Sequence, residues 1–164
     1  MHAVVFATTL AALIAIHAPA AAQTASAPLE KKNYNHSAWT KGIFSEAVTV
    51  TGLGAGKLIF LAGVGAEDEN GPRGNVRAKA DFPGQCQYAY DKIKRVLAQH
   101  GAKISDIVKM TSYLTDFRYR PDYSKCMKEV FGDGPLPAHT LLNISHLAFP
   151  EMLLEVDVIA VAPQ

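Results

Sequence analysis

Two stretches of the chain place apolar residues at the spacing of one helical face, and each predicts an amphipathic helix. The first begins at Phe82, and Gly101 is a typical residue for the position after its end. The second begins at Pro121 and ends in the turn of residues 132–137, which is rich in Gly and Pro. The predicted core-facing residues are Phe82, Cys86, Ala89, Tyr90, Ile93, Val96 and Leu97 in the first helix and Tyr123, Cys126, Met127 and Val130 in the second.

Three runs before and between these helices have the β-branched or apolar character of strands. Residues 47–51 and 58–66 flank a glycine-rich turn, so a hairpin is predicted. The polar segment 67–81 that follows is predicted to be a surface loop. Residues 104–114 come after the first helix, and their alternation predicts a strand that places Val108, Met110, Ser112 and Leu114 on one face.

The last part of the chain contains two further strand-like runs, separated by a loop that contains Pro. These runs, residues 140–144 and 153–162, are predicted to pair with each other. The order strand, strand, helix, strand, helix, strand, strand favours an α+β fold with both helices on one face of a mixed sheet. The other face then has no helix to cover its apolar residues, which predicts an oligomer.

Composition and charge exclude several classes of function. The chain has 164 residues, 49% of them hydrophobic, which suits one globular domain. Its 16 basic and 15 acidic side chains nearly cancel, and no basic stripe predicts a nucleic-acid partner. The glycines of residues 52–57 suggest a phosphate loop, but Leu58 follows Lys57 and the next element is a strand rather than a helix. No cofactor is therefore expected, and no His spacing completes a metal site with the two cysteines.

The N-terminal residues 1–22 differ from everything after them. Their apolar stretch, residues 3–16, is shorter than the about 20 residues that span a bilayer, and residues 20–22 form a small-residue cleavage pattern. This predicts a signal peptide, then an N-terminal arm at residues 23–40 and one domain at residues 41–164. The mature protein is then secreted or periplasmic, with no membrane partner. Because no Lys or Arg precedes the apolar stretch, an uncleaved anchor or a misassigned start codon are the alternatives.

The predicted export makes a disulfide between the two cysteines possible, because an oxidising compartment permits disulfides. Cys86 and Cys126 each lie on the apolar face of a predicted helix. A pair of buried thiols is the interpretation that the sequence favours, and a disulfide between the two helices is the alternative. Neither interpretation predicts a reactive thiol.

Four segments of the sequence resemble the Rid family, which includes RidA and is also called YjgF or endoribonuclease L-PSP. They are LIFLAGVGA, DKIKRVLAQHGAKISDIVKMTSYLTD, GPLPAHT and LLEVDVIAVA. The resemblance covers nearly all of the predicted mature protein. It implies a chorismate-mutase-like α+β subunit and a homotrimer whose sheets line a central barrel, with ligand clefts between subunits.

The resemblance also implies an activity, because members of the RidA type hydrolyse imines and enamines to a keto acid and ammonia. The family's arginine, which binds the substrate carboxylate from a P-A-R motif, corresponds here to His139. A neutral imidazole offers neither the permanent charge nor the paired N–H donors of a guanidinium. The family's glutamate in the last strand corresponds to Glu155, which implies a general base that activates water.

Several other cleft positions differ from the family pattern. Phe44 stands where the family has a tyrosine, Ala62 where it has a serine, and Ser124 where it has an asparagine. The catalytic candidates are Glu155 and His139, which act as a pair only if they meet across a subunit boundary. The substrate-binding residues that the resemblance implies are Phe44, Ala62, Gly63, Ser124 and Thr140.

Three functional hypotheses follow. The first is a hydrolytic deaminase-like cleft for an imine or a related carbonyl-like compound; loss of the arginine and export both argue against simple amino-acid-derived imines. The second is a trimer that binds an apolar or weakly polar metabolite without turnover, which the apolar residues Phe44, Ala62 and Leu141 favour. The third, ribonuclease activity, is the weakest because the charge is nearly neutral. The histidines without a partner pattern are predicted to lie on the surface: His36, His100 and His146.

Overall fold

A computed structural model describes residues 27–34 and 47–163 of the chain. The predicted signal peptide, Phe44 and His36 lie outside these residues. Among the described residues no helix is long and apolar enough to cross a membrane. The helices are α1 (Phe82–Gln99) and α2 (Arg120–Phe131), and the strands are β1 (Glu30–Tyr34), β2 (Ala47–Thr51), β3 (Gly56–Phe60), β4 (Val64–Gly65), β5 (Ile107–Leu114), β6 (Ala138–Asn143) and β7 (Leu154–Pro163).

The main sheet has the order β3–β7–β5–β6, and β4 pairs with β7 beyond the end of β3. Strand β6 runs parallel to β5, whereas β3, β4 and β5 are antiparallel to β7. Both helices contribute buried side chains to one core cluster with β5 and β7, so they cover the same face of the sheet. The predicted α+β class with two helices on a mixed sheet is confirmed. The homotrimer with a central barrel stays a prediction.

Helix α1 begins and ends where its sequence signals place it. The Asp81 carboxylate caps the N-terminus by accepting a hydrogen bond from Gly84 N at 3.1 Å. At the other end Gly101 has a φ of +69°, the left-handed conformation that a residue after a helix commonly adopts. The buried face of the helix holds Phe82, Gln85, Cys86, Ala89, Tyr90, Ile93 and Leu97.

Helix α2 packs on α1 and is covalently joined to it. Tyr123, Cys126 and Met127 form its buried face, as the helical spacing predicts. A disulfide links Cys86 of α1 to Cys126 of α2. The expectation of two buried free thiols is therefore wrong, because the two helices pack with these residues facing each other. The disulfide considered as the alternative is the one that the structure contains.

Strand β5 forms the centre of the core, with one departure from simple alternation. Met110, Ser112 and Leu114 are buried towards the helices, as predicted. Val108 is only half-buried, and Ile107 is buried instead. A register shift between Ile107 and Lys109 against β7 causes the change, because an extra residue in a strand reverses the faces on one side of it.

The predicted hairpin between residues 47–51 and 58–66 does not form. Strand β2 pairs with β1, whose residues belong to the predicted N-terminal arm, and β3 pairs with β7. The turn after β2 starts at Gly52, where a side chain would collide with the carbonyl oxygen of Pro28 at 2.1 Å. The segment before β1 therefore lies against this turn. The apolar run itself is divided into β3 and β4, because residues 61–63 leave the strand conformation.

The predicted pairing between the last two strands is also wrong. Strand β5 lies between β6 and β7 and pairs with both. The crossover through α2 brings β6 back parallel to β5, and the chain then passes over the end of β5 before β7 begins. Gln85 of α1 fixes this passage, because its buried amide donates to Glu151 O and accepts from Leu153 N, each at 2.8 Å.

Candidate functional site

His139 projects from β6 towards the helices and lines a cavity of about 760 Å³ between α2 and β6. Its Nε2 lies 3.1 Å from Ser112 Oγ and 3.3 Å from Tyr123 Oη. Ser124 and Leu141 line the same cavity. Ser124 Oγ donates to the Arg120 carbonyl at 3.0 Å, so this hydroxyl already has a partner within its helix.

A chain of buried hydroxyl groups continues from His139 into the core. Ser112 Oγ lies 2.6 Å from Tyr123 Oη, which lies 3.1 Å from Tyr90 Oη. Tyr90 in turn donates to Met127 Sδ at 2.9 Å. The sequence indicated one member of this network, because Ser112 is a polar residue at an inward position of an alternating strand. The two tyrosines look like ordinary core residues in the sequence, so their role was missed.

The ring of His139 is uncharged at neutral pH. Burial, with a smaller contribution from the positive charge of Lys109, lowers the pKa of His139 to about 4. Burial likewise raises the pKa of Tyr123 to about 12. The network therefore consists of neutral hydrogen-bonding groups, and His139 does not supply the cation that an anionic substrate group would need.

Glu155 is a half-buried carboxylate at the start of β7. It pairs in register with Gly65 of β4, and its side chain lies against Gly63. A Cβ atom on Gly63 would lie 2.0 Å from Glu155 Oε1, so glycine at this position makes room for the carboxylate. Burial, reinforced by the negative charges of Glu67 and Asp157, raises the pKa of Glu155 above its usual range.

A groove lies next to Gly63, the residue against which the Glu155 side chain packs. Ala62 and Gly63 line a groove of about 360 Å³ beside α1, together with the ion pair between Lys92 Nζ and Glu67 Oε2 at 2.7 Å. Despite the nearby carboxylates, no group of three or more His, Cys, Asp or Glu in the described part of the chain is arranged to hold a metal ion.

Thr140 lies on the same face of the sheet as Glu155, and not beside His139. Its hydroxyl accepts a hydrogen bond from Lys109 Nζ at 2.6 Å. On the same face Tyr113 Oη donates to Asp157 Oδ2 at 2.9 Å. The side chains of a strand alternate between the two faces, so Thr140 points away from the cavity that its neighbour His139 lines.

The two catalytic candidates therefore lie on opposite faces of the sheet. His139 contacts α2 on the helix-covered face, whereas Glu155 lies on the other face, between the helix-facing residues Leu154 and Val156. The site residues fall into two groups: Ser124 and His139 at the α2–β6 cavity, and Ala62, Gly63 and Glu155 around the break between β3 and β4. A single subunit does not bring the two groups together.

Comparisons with known proteins identify the family of this chain. The family model described as endoribonuclease L-PSP matches residues 35–162. The chain belongs to this family, also known as the Rid family. A RutC family protein of Pyrococcus abyssi is 31% identical over 119 residues, which cover 73% of this chain and 86% of the relative. A 2-iminobutanoate/2-iminopropanoate deaminase of Dermatophagoides farinae is 30% identical over 107 residues, 65% of this chain and 76% of that protein.

The solved structures agree on the fold of this Rid-family chain. The conserved Rid family protein YyfB of Yersinia pestis superimposes with a TM-score of 0.66 at 25% identity, covering 80% of this chain and 98% of that one. A second solved structure, that of the protein YJGH, gives a TM-score of 0.58 at 27% identity, covering 80% of this chain and 95% of that one. The resemblance inferred from the four sequence segments is thereby confirmed.

Proposed function

We propose that this Rid-family chain is a hydrolase of small imines or enamines, in which Glu155 activates the attacking water. The observation that supports this most directly is the close contact between the Glu155 side chain and Gly63. The residue with no side chain leaves space for a half-buried carboxylate, and burial makes that carboxylate a stronger base than an exposed one. A carboxylate that only kept the strand surface polar could point into solvent and would not need the space beside Gly63.

The proposed reaction adds water to a C=N bond and removes ammonia. The water oxygen bonds to the imine carbon while one water proton passes to the Glu155 carboxylate, and Glu155 passes this proton to the imine nitrogen to give a neutral carbinolamine. Glu155 then accepts the hydroxyl proton of the carbinolamine as the C=O bond forms and the C–N bond breaks, and it passes this proton to the leaving nitrogen, which departs as ammonia. The balance is imine plus water giving a carbonyl compound plus ammonia. No oxidant or reductant is involved.

We further propose that the cleft is completed by a second copy of the chain, within a homotrimer. The face of the sheet that carries Glu155 has no helix over it, and it exposes Leu58, Phe60 and Leu142 to 49%, 68% and 43%. Apolar side chains exposed to this extent favour an interface. Because Glu155 and His139 lie on opposite faces, only a neighbouring subunit could bring His139 to the Glu155 of this one.

Binding without turnover is the second candidate, and the α2–β6 cavity favours it. Met127, Leu136 and Leu141 supply apolar lining, and His139 contributes a neutral ring where the family has a cation. These residues suit an apolar or weakly polar metabolite, and the charged residues Arg120, Lys128 and Asp133 also line the cavity.

Export of the protein is likewise proposed. The disulfide between Cys86 and Cys126 supports it, because such bonds persist in secreted and periplasmic proteins and are rare where thiols are kept reduced. Export also places the protein away from cytosolic sources of amino-acid-derived imines, which supports a different imine as the substrate.

The experiment follows carbonyl release from freshly generated imines, in competition with trapping by semicarbazide. Two substrates are compared: 2-iminopropanoate, and the uncharged imine that an amine oxidase makes from 2-aminopropane. The expected result is acceleration over buffer that is greater for the uncharged imine and is lost in Glu155→Gln. Asp157→Asn is the matched control on the same strand and face, and it should retain most of the activity. No acceleration of either substrate by the wild-type protein would refute the hydrolase and leave the binding function.

A further inference from the structure

The hydroxyl network beneath the α2–β6 cavity has a fixed direction, because it ends on a group that cannot donate. Met127 Sδ is a hydrogen-bond acceptor only, and it lies 2.9 Å from Tyr90 Oη. At this distance a hydrogen atom must lie between the oxygen and the sulfur, since the two lone pairs would otherwise repel. Tyr90 therefore uses its single proton on the thioether.

The donor and acceptor of each remaining hydrogen bond then follow, one residue at a time, from Tyr90 back to His139. Tyr90 has no further proton, so the buried 3.1 Å contact between Tyr90 Oη and Tyr123 Oη is a hydrogen bond only if Tyr123 donates to Tyr90 rather than to Ser112 or to Nε2 of His139. We take this direction because the alternatives leave the two buried tyrosine oxygens facing each other with no hydrogen between them. Tyr123 has then used its own proton, so Ser112 Oγ donates to Tyr123 across 2.6 Å. Ser112 is left as an acceptor, and the group next to it is Nε2 of His139 at 3.1 Å. The Nε2 atom therefore carries the proton of the neutral imidazole.

The opposite direction leaves a repulsive contact. If Ser112 donated to Nε2, Tyr123 would donate to Ser112 and Tyr90 to Tyr123. The oxygen of Tyr90 would then face Met127 Sδ at 2.9 Å and Met110 Sδ at 3.3 Å with no hydrogen between them. Both sulfur atoms and the oxygen are buried, so no solvent relieves the contact.

The second ring nitrogen of His139 is the one that remains for a ligand. Nδ1 makes no hydrogen bond within the described part of the chain, and no side-chain nitrogen or oxygen there is both buried and without a partner. Since His139 lines the α2–β6 cavity, Nδ1 is reached from that cavity. A neutral imidazole protonated at Nε2 presents a lone pair at Nδ1.

We infer that the α2–β6 cavity binds its ligand through an N–H or O–H group that donates to Nδ1 of His139. The ligand class is a small neutral molecule with a hydrogen-bond donor, such as an amide, an alcohol or an imine with a free N–H. The lone pair at Nδ1 would repel a carboxylate, although Arg120 and Lys128 also line the cavity. His139 thus sets a specificity opposite in polarity to that of a guanidinium, which only donates. The inference rests on the proposed function only in taking this cavity as a ligand site.

The tautomer can be measured without any ligand or turnover. Long-range ¹H–¹⁵N spectra of the ¹⁵N-labelled protein distinguish a protonated ring nitrogen from one with a lone pair, and His139→Gln assigns the signals. Nδ1 of His139 is expected to be the unprotonated nitrogen at neutral pH. Tyr90→Phe removes the terminal donor and should populate the other tautomer, whereas Tyr88→Phe, two residues away on α1, should not. A wild-type ring protonated at Nδ1, or no difference between Tyr90→Phe and Tyr88→Phe, would overturn the assigned direction.

The ligand preference is tested with 2-pyrrolidinone and N-methyl-2-pyrrolidinone, which differ by one N–H donor. The lactam with the free N–H is expected to shift the Nδ1 resonance of His139 and to bind at least about fivefold more tightly, the effect of one ordinary hydrogen bond. Butyrate should bind more weakly than the free lactam. In His139→Phe the two lactams should bind alike. Absence of lactam binding, an equal affinity for the methylated lactam, or tighter binding of butyrate would each refute the ligand class while leaving hydrolysis by Glu155 untouched.

Discussion

The buried imidazole of His139 should make the stability of the fold depend on pH. In the unfolded chain this ring has a pKa of 6.5, and in the folded protein burial, followed by the charge of Lys109, lowers it to about 4. Between these two values the unfolded chain binds more protons at this site than the folded chain. The free energy of unfolding must therefore fall as the pH falls from about 6.5 to about 4.

The magnitude follows from the size of the pKa difference. Each unit of difference corresponds to about 1.4 kcal/mol, so a pKa of about 4 in place of 6.5 contributes roughly 3 kcal/mol. This contribution is fully present above pH about 6.5 and is lost progressively as the pH approaches about 4. It is large beside the total stability of a typical domain, about 5–15 kcal/mol.

The measurement compares urea unfolding of the wild-type protein with that of His139→Gln at pH 4, 5, 6 and 7, under non-reducing conditions. Other groups also titrate in this range, including Glu155, whose raised pKa favours the folded state at low pH. They contribute equally to both proteins and cancel in the difference. The wild type is expected to lose roughly 3 kcal/mol more than the variant between pH 7 and pH 4. Parallel curves for the two proteins would show that the ring is not held neutral by its surroundings.

Three further predictions test the supports of the site. Reducing the Cys86–Cys126 disulfide, which closes a loop with a sequence separation of 40, should lower the free energy of unfolding by about 4 kcal/mol; an unchanged urea midpoint after reduction would contradict this. Gly63→Ala should lower the free energy of unfolding by about 1–3 kcal/mol and reduce turnover, because the added Cβ displaces the Glu155 side chain. A variant with the activity and stability of the wild type would disprove this. Asp81→Ala should lower the free energy of unfolding by about 1 kcal/mol, because it removes the cap of α1, while Asp81→Asn should lower it much less. Equal losses of stability in the two variants would argue against capping.

The elements that the sequence predicted correctly are those whose signals are local. The apolar spacing of α1 and α2, the proline at the start of α2 and Gly101 after α1 all depend on residues within one or two turns of the helix. The inward side of β5 was likewise predicted from its alternation. The bulge at Ile107 was not, because it is defined by the register of β5 against β7, where Ile107 pairs with the distant residue Ala160.

The strand partners could not be predicted, because pairing is decided by distant segments. Glu30–Tyr34 has the polar sequence EKKNY and shows no strand signal of its own, yet it pairs with β2 over five residues. The two runs near the C-terminus are neighbours in the sequence but not in the sheet, since β5 separates them. Identifying Glu155 and His139 needed only the family pattern. Finding that they occupy opposite faces needed the register of β6 and β7 on β5.

The surroundings of His139 oppose an arginine at this position. A guanidinium at this position could donate to Ser112, as Nε2 does, but it has no lone pair with which to accept from a ligand. Its permanent charge would also be disfavoured by burial and by the positive charge of Lys109, as a charged imidazole is. Replacing His139 by arginine alone would therefore put a cation directly against the neutral hydroxyl groups of Ser112 and Tyr123. At this position recognition of a carboxylate is opposed by the network of Ser112, Tyr123 and Tyr90 beneath the ring as well as by the ring itself, so the cations that remain for an anion are Arg120 and Lys128 elsewhere in the cavity lining.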